Sequence, residues 1–129
     1  MEKFVILIKT YNRDVYRTKR LVSSIKKFNR DNIPVFISIK KQDLEIFKSV
    51  LSDLEYRVGI VFDEDIQPDC NVTEGWLYQQ IIKSQFWTTG IAENYVAIDS
   101  EIVFLKDFYL SDFMYDDETP YIVMGERKE

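Results

Sequence analysis

Four short apolar runs punctuate the chain, at residues 4–8 (FVILI), 35–39 (VFISI), 57–62 (RVGIVF) and 95–98 (YVAI). Runs this short and this apolar have no polar face to offer water, so they suit strands buried on both sides, as in parallel sheets. Between them apolar residues return at helical spacing. Val15, Thr18, Val22, Ile25 and Phe28 form one stripe with Lys and Arg opposite, and Leu44, Phe47, Leu51 and Leu54 form another within residues 43–54. Asp14 stands where a side chain can cap the first helix, and residues 29–34 form a turn. A loop with Pro68 and Cys70 leads to a third helix. Asn71 and Glu74 are spaced there as in a capping box, and Gly90 stops the helix after about Thr89. Pro120 precedes a last strand-like piece at residues 121–124. The order β-α-β-α-β-α-β predicts a Rossmann-like α/β domain, a mostly parallel sheet with helices on both faces.

In such sheets ligands bind beyond the carboxyl ends of the strands, where strand order reverses. Three polar clusters follow strands: residues 9–14 (KTYNRD), 63–65 (DED) and 99–101 (DSE). They are therefore expected to converge on one edge of the sheet. If the last strand runs on, Asp99 and Glu101 point the same way, about 7 Å apart. Carboxylates that close repel unless a cation lies between them or water screens them. Oxygen ligands at this spacing suit Mg²⁺ or Mn²⁺, above all when a phosphate completes the shell. A solvated acidic turn is the alternative. On the third helix Trp76, Gln80, Lys83 and Trp87 share a face, with Gln79 beside them. Either this face lines a pocket and offers Lys83 to a phosphate, or the Trp rings pack in the core while Gln80 and Lys83 reach solvent.

Composition excludes several chemistries. A chain of 129 residues suits one domain, and 46% hydrophobic content supplies its core. The formal charge of −5 argues against nucleic acid as the partner. Arg17, Lys19, Arg20, Lys26 and Lys27 fall on a helical pattern and read first as a solvated face, with an anion or membrane contact as the lesser option. With no His, neither a Ser-His-Asp nor a Cys-His nucleophile can be assembled, and His-ligated zinc is excluded. One Cys rules out an internal disulfide and fits a reducing, cytoplasmic compartment. The opening apolar run is too short for a signal peptide or a transmembrane segment, so the acceptor pattern at Asn71, Val72 and Thr73 is discounted.

The pattern G-W-x-x-Q-Q-x-x-K (Gly75, Trp76, Gln79, Gln80, Lys83), followed by residues 99–108 (DSEIVFLKDF), resembles the nucleotide-binding half of GT-A-fold glycosyltransferases. More narrowly it is similar to a bacterial GT-A-like family linked to surface polysaccharides. The turn K-T-Y-x-R-D (Lys9, Thr10, Tyr11, Arg13, Asp14) fits the same picture, and the resemblance runs from Phe4 to about Met124. It implies a metal-dependent glycosyltransferase, or its nucleotide-sugar-binding half, moving a sugar from a nucleoside-diphosphate donor to a glycan or lipid-linked acceptor at the inner face of the membrane. Asp99 and Glu101 would hold Mn²⁺ or Mg²⁺ across the pyrophosphate, Glu101 as the more direct ligand in place of the usual Asp. Thr10, Tyr11, Arg13, Asp14 and Asp63 would embrace the nucleoside of a UDP-sugar, and Gln80 and Lys83 would face the donor from the third helix.

GT-A enzymes extend well past this length. The resemblance thus implies that residues 1–129 form one donor-binding domain, standing alone or as the N-terminal part of a longer transferase. No catalytic base is identified; Asp112, Asp116, Asp117 and Glu118 are candidates from an acidic loop, which reads first as solvated. The aromatic tail (Tyr109, Phe113, Met114, Tyr115, Tyr121) reads as a self-association surface or a place for further chain to pack. A non-catalytic α/β binding module is the second reading. A receiver-like signalling domain is the third, and Lys9-Thr10 where it needs an acidic pair counts against it.

Overall fold

The computed structural model describes residues 1–68, 72 and 75–121. Cys70, the Asn71–Glu74 capping pattern and most of the piece expected at 121–124 lie outside the described residues. Elements follow in the order β1 (Glu2–Lys9), α1 (Val15–Phe28), β2 (Val35–Ile39), α2 (Leu44–Leu51), β3 (Gly59–Phe62), α3 (Asp63–Ile66), α4 (Gly75–Gln85) and β4 (Ala92–Asp99). The strands form one sheet in the order β3-β2-β1-β4, and every pairing is parallel. The chain steps outward from β1 through β2 to β3, then returns across β1 to lay down β4. Strand order therefore reverses between β1 and β4, and in such sheets ligands bind outside the carboxyl ends of strands near that point.

Alternation along each strand feeds two different layers. Phe4, Ile6 and Ile8 of β1 join Leu21, Val22 and Ile25 of α1 on one face. Ile37 and Ile39 of β2 meet Val15 and Phe47 on the same side. Val5 and Leu7 point the other way, onto Ile82 and Phe86 of the α4 region. This double burial is the physical reason that β1 reads as an unbroken apolar run. Gly59 sits opposite Phe36 in the β2–β3 register, and a Cβ there would lie 2.4 Å from the Phe36 ring, so the ring occupies the place of a side chain.

Several local features differ from the sequence expectation. Asp14 does occupy the position before α1, but its side chain makes no capping bond. Its carboxylate turns instead to Arg17 at 3.4 Å, and its carbonyl accepts from Thr18. The second predicted helix is α2 continued by a 3-10 turn at Ser52–Leu54. The third is α4 tightened into a 3-10 turn at Phe86–Thr89, ended by Gly90 at φ +70°. The basic residues Arg17, Arg20, Lys26 and Lys27 of α1 are exposed, as a solvated face requires.

Past β4 the chain folds back over α1. Phe108 and Met114 are buried with Phe4, and Phe113 stacks on Phe4 at 5.4 Å. The aromatic tail is thus divided: Phe113 and Met114 belong to the core, while Tyr109, Tyr115 and Tyr121 stay exposed. No helix among the described residues is long and apolar enough to cross a membrane.

Candidate functional site

Because all four strands run the same way, their carboxyl ends share one edge, and the side chains there settle the chemistry. The register sets Lys9 beside Ser38 on one flank and Asp99 on the other. Lys9 is 3% exposed and Asp63, the first residue after β3, is 0% exposed. The Lys9 ammonium lies 3.1 Å from Asp63 Oδ2 and donates to the carbonyls of Thr10 and Ser38. Ser38 Oγ donates to Asp63 Oδ1 at 2.6 Å, and the Tyr78 hydroxyl to Oδ2 at 3.0 Å. Every oxygen of the buried carboxylate is therefore engaged, as burial of a charge demands. Burial lowers the pKa of Lys9 from its ordinary 10.5, with Asp63 pulling the other way.

Above this pair lies a cavity of about 430 Å³, within the range of small-molecule sites. It is lined by Lys9, Tyr11 and Arg13 after β1, Lys40 after β2, Asp63 after β3, and Gly75, Trp76, Tyr78 and Gln79 of the opening turns of α4. Among the described residues three cations face one carboxylate there. The Lys40 ammonium rests 5.1 Å from the centre of the Tyr78 ring. Trp76, 68% exposed, offers a broad apolar face at the rim.

The residues singled out from sequence divide into groups. Tyr11, Arg13 and Asp63 line the cavity. Thr10 is buried, its hydroxyl 2.7 Å from that of Thr18, so it braces the turn from below. Asp14 is turned toward Arg17. Gln79 lines the cavity where Gln80 had been expected. Lys83 lies one turn further along α4 and contacts Asp99 Oδ1 at 3.2 Å. Neither Trp ring is in the core: Trp87 is 63% exposed, and the buried stripe of this stretch is Ile82 and Phe86, with Tyr78 half-buried. Glu64 and Asp65 are engaged by Lys41.

The geometry at Asp99 differs from a continuing strand. Strand β4 ends at Asp99, and Ser100 and Glu101 form a turn, so alternation does not carry the second carboxylate to the side of the first. Among the described residues no three carboxylate, His or Cys side chains gather to hold a metal ion. Glu101 thus lies in the turn after the last residue of β4. Asp116 and Asp117 line a different cavity with Lys3 and Phe4, toward the amino end of β1, and Asp116 accepts from the amides of Glu118 and Thr119. Those acids stand at the wrong edge of the sheet to serve the crevice. Lys40, Ser38 and Tyr78 were missed from sequence. The rule that strand ends build the site, applied to β2 as well, would have found Lys40.

No curated protein matches this sequence. Among solved structures the chain is similar to mouse xyloside xylosyltransferase 1 in its apo form, with a TM-score of 0.55 and 11% identity, over 81% of this chain and 46% of that one. The chain thus spans less than half the length of that transferase. The likeness shows a shared Rossmann-like, glycosyltransferase-type fold. Residues 4–129 match the model of a family of unknown function, DUF6492, and the chain belongs to that family.

Proposed function

We propose that the crevice at the carboxyl ends of β1 to β3 binds the donor of a glycosyl transfer, a nucleotide-sugar with a UDP-sugar foremost. The chain would be the donor-binding domain of a transferase acting on a glycan or lipid-linked acceptor. The observation that carries the reading is the cavity of about 430 Å³ lined by Lys9, Arg13 and Lys40, with Tyr11 and Trp76 at its side, in a fold shared with a sugar transferase. Cations in a partly dry pocket suit phosphate oxygens, and an exposed ring face suits a stacked base. Asp63 acts through Lys9, which it holds in place, and Thr10 and Asp14 shape the turn that presents Tyr11 and Arg13. Gln80, Lys83 and Asp99 border the donor on the β4 side. In the metal-dependent form of this reading, Mn²⁺ or Mg²⁺ would sit at Asp99 and Glu101, and Asp99 would have to exchange Lys83 for the ion. Exposed Ile102, just beyond β4, supports an apolar acceptor on that side.

Thermal unfolding with UDP, UDP-sugars and other nucleoside diphosphates tests the proposal. A ligand at a hundred times its dissociation constant adds about 2.7 kcal/mol, a rise of several degrees in Tm. No rise with any nucleotide at millimolar concentration would overturn it. The commitment of Asp63 to Lys9 and of Asp99 to Lys83 favours, as second reading, a module that binds the nucleotide without transfer. Binding without hydrolysis or transfer of the sugar would select that reading.

A further inference from the structure

We infer that the diphosphate is held by side-chain cations, with Lys40 and Arg13 as its two direct partners, and that binding requires no divalent ion. This rests on the nucleotide reading above. A nucleotide-sugar carries one negative charge on each of its two phosphates. Among the described residues the lining of the cavity has three cations and one carboxylate. Asp63 is committed to Lys9 at 3.1 Å, which leaves the charges of Arg13 and Lys40 in excess, one for each phosphate.

The surroundings show that this excess is local. Arg17, Lys19 and Lys41, close by in the sequence, all have a carboxylate within 4 Å, at 3.4, 3.0 and 3.7 Å. Arg13 and Lys40 have none among the described residues. Lys40 is nevertheless held, with its ammonium 5.1 Å from the centre of the Tyr78 ring. Arg13 follows the turn that Asn12 fixes by its two bonds to buried Asp43. The opening turn of α4 lines the same cavity and adds the positive end of its dipole.

The place a metal would take is already balanced. Lys83, its side chain 16% exposed, supplies a positive charge 3.2 Å from Asp99, and the Tyr95 hydroxyl donates to the Lys83 carbonyl, tying that turn of α4 to β4. Glu101 lies beyond the end of the strand. A dication beside Arg13 and Lys40 would add repulsion to a pocket whose charge already matches the ligand.

Titration calorimetry of the full chain with UDP-glucose as the probe, in EDTA and then in Mn²⁺ or Mg²⁺, decides the matter. The expected affinities in the two buffers agree within about threefold. Arg13→Gln and Lys40→Gln are each expected to weaken binding about tenfold to a hundredfold, the range of a lost charge-assisted bond, and added salt weakens the wild type more than either variant. Both side chains are exposed, so the variants should keep the wild-type Tm, and Lys19→Gln on the far face serves as control. Binding that appears only with the metal and is lost in Asp99→Asn would overturn the inference and leave the nucleotide reading intact. Wild-type affinity in both cation variants would overturn it as well. No binding of UDP-glucose in either buffer overturns the nucleotide reading and this inference together.

Discussion

Lys9 and Asp63 place opposite charges in the driest part of the molecule, and their energetics are set by burial more than by attraction. Taking both ions out of water costs several kcal/mol each, recovered only because Ser38, Tyr78 and two carbonyls complete the hydrogen bonding. Removing one partner leaves a bare buried charge. Asp63→Asn is therefore expected to cost about 3–5 kcal/mol in denaturant unfolding, while a Lys9→Met, Asp63→Leu pair should recover most of that loss. The double variant keeps Arg13 and Lys40, so it should still bind the nucleotide, which separates the stability of the pair from the binding site. The lowered pKa of Lys9 fixes a pH signature. Over the window from that lowered value up to 10.5 the unfolded chain holds the proton more fully than the folded one, so the contribution of Lys9 to stability rises with pH there. It is smallest below the folded pKa. Unfolding curves of wild type and Lys9→Met from neutral pH toward 10.5 should show the difference moving in favour of wild type. None of this pairing was legible in the sequence, where Asp63 reads as one acid among three. Only the parallel register sets β1, β2 and β3 side by side, with Lys9 and Ser38 adjacent and Asp63 directly after β3.

At the scale of elements, α4 shows where periodicity misleads. Trp76, Gln80, Lys83 and Trp87 share a helical face, but so do Tyr78, Ile82 and Phe86. Both stripes contain large rings, so hydrophobicity alone does not choose between them. The sheet chooses: Phe86 meets Tyr95 edge-on at 4.9 Å and packs beside Phe36, while Ile82 fills the layer over Val5 and Leu7. Ile82→Ala is expected to cost about 2–5 kcal/mol, whereas Trp87→Ala should change stability by no more than about 0.5 kcal/mol. The reverse order in a denaturant series would mean that α4 is rotated on the sheet. The Asp99 region teaches a related lesson. The run of apolar letters on both sides of residues 99–101 suggested a strand passing through, but β4 stops at Asp99 and the following residues leave the sheet for α1. Strands β1 and β2 and helix α1, by contrast, lie where their patterns put them, because one strongly apolar stretch between turn residues leaves little choice of boundary.

For the whole molecule, the alternation of strands and helices was enough to foresee the layers and the shared edge where polar clusters meet. It could not foresee that β4 returns across β1, since strand neighbours are fixed by packing between distant segments. That return brings Asp99 beside Lys9, on the flank of the cavity that lies over β1, β2 and β3. It also begins the passage that clasps the molecule. After β4 the Phe104 amide donates to Ser24, Phe108 exchanges backbone bonds with Phe28 and Arg30, and the Arg30 side chain meets Asp107 at 3.0 Å. Lys106 stands exposed between the two ring anchors, Phe104 and Phe108, which stack at 4.1 Å. A protease that cuts after Lys106 should therefore nick the chain without parting it. Denaturing electrophoresis would then show two fragments where gel filtration shows a single particle, and the shorter fragment would remain lodged because Phe108, Phe113 and Met114 keep their places in the layer over β1 and α1.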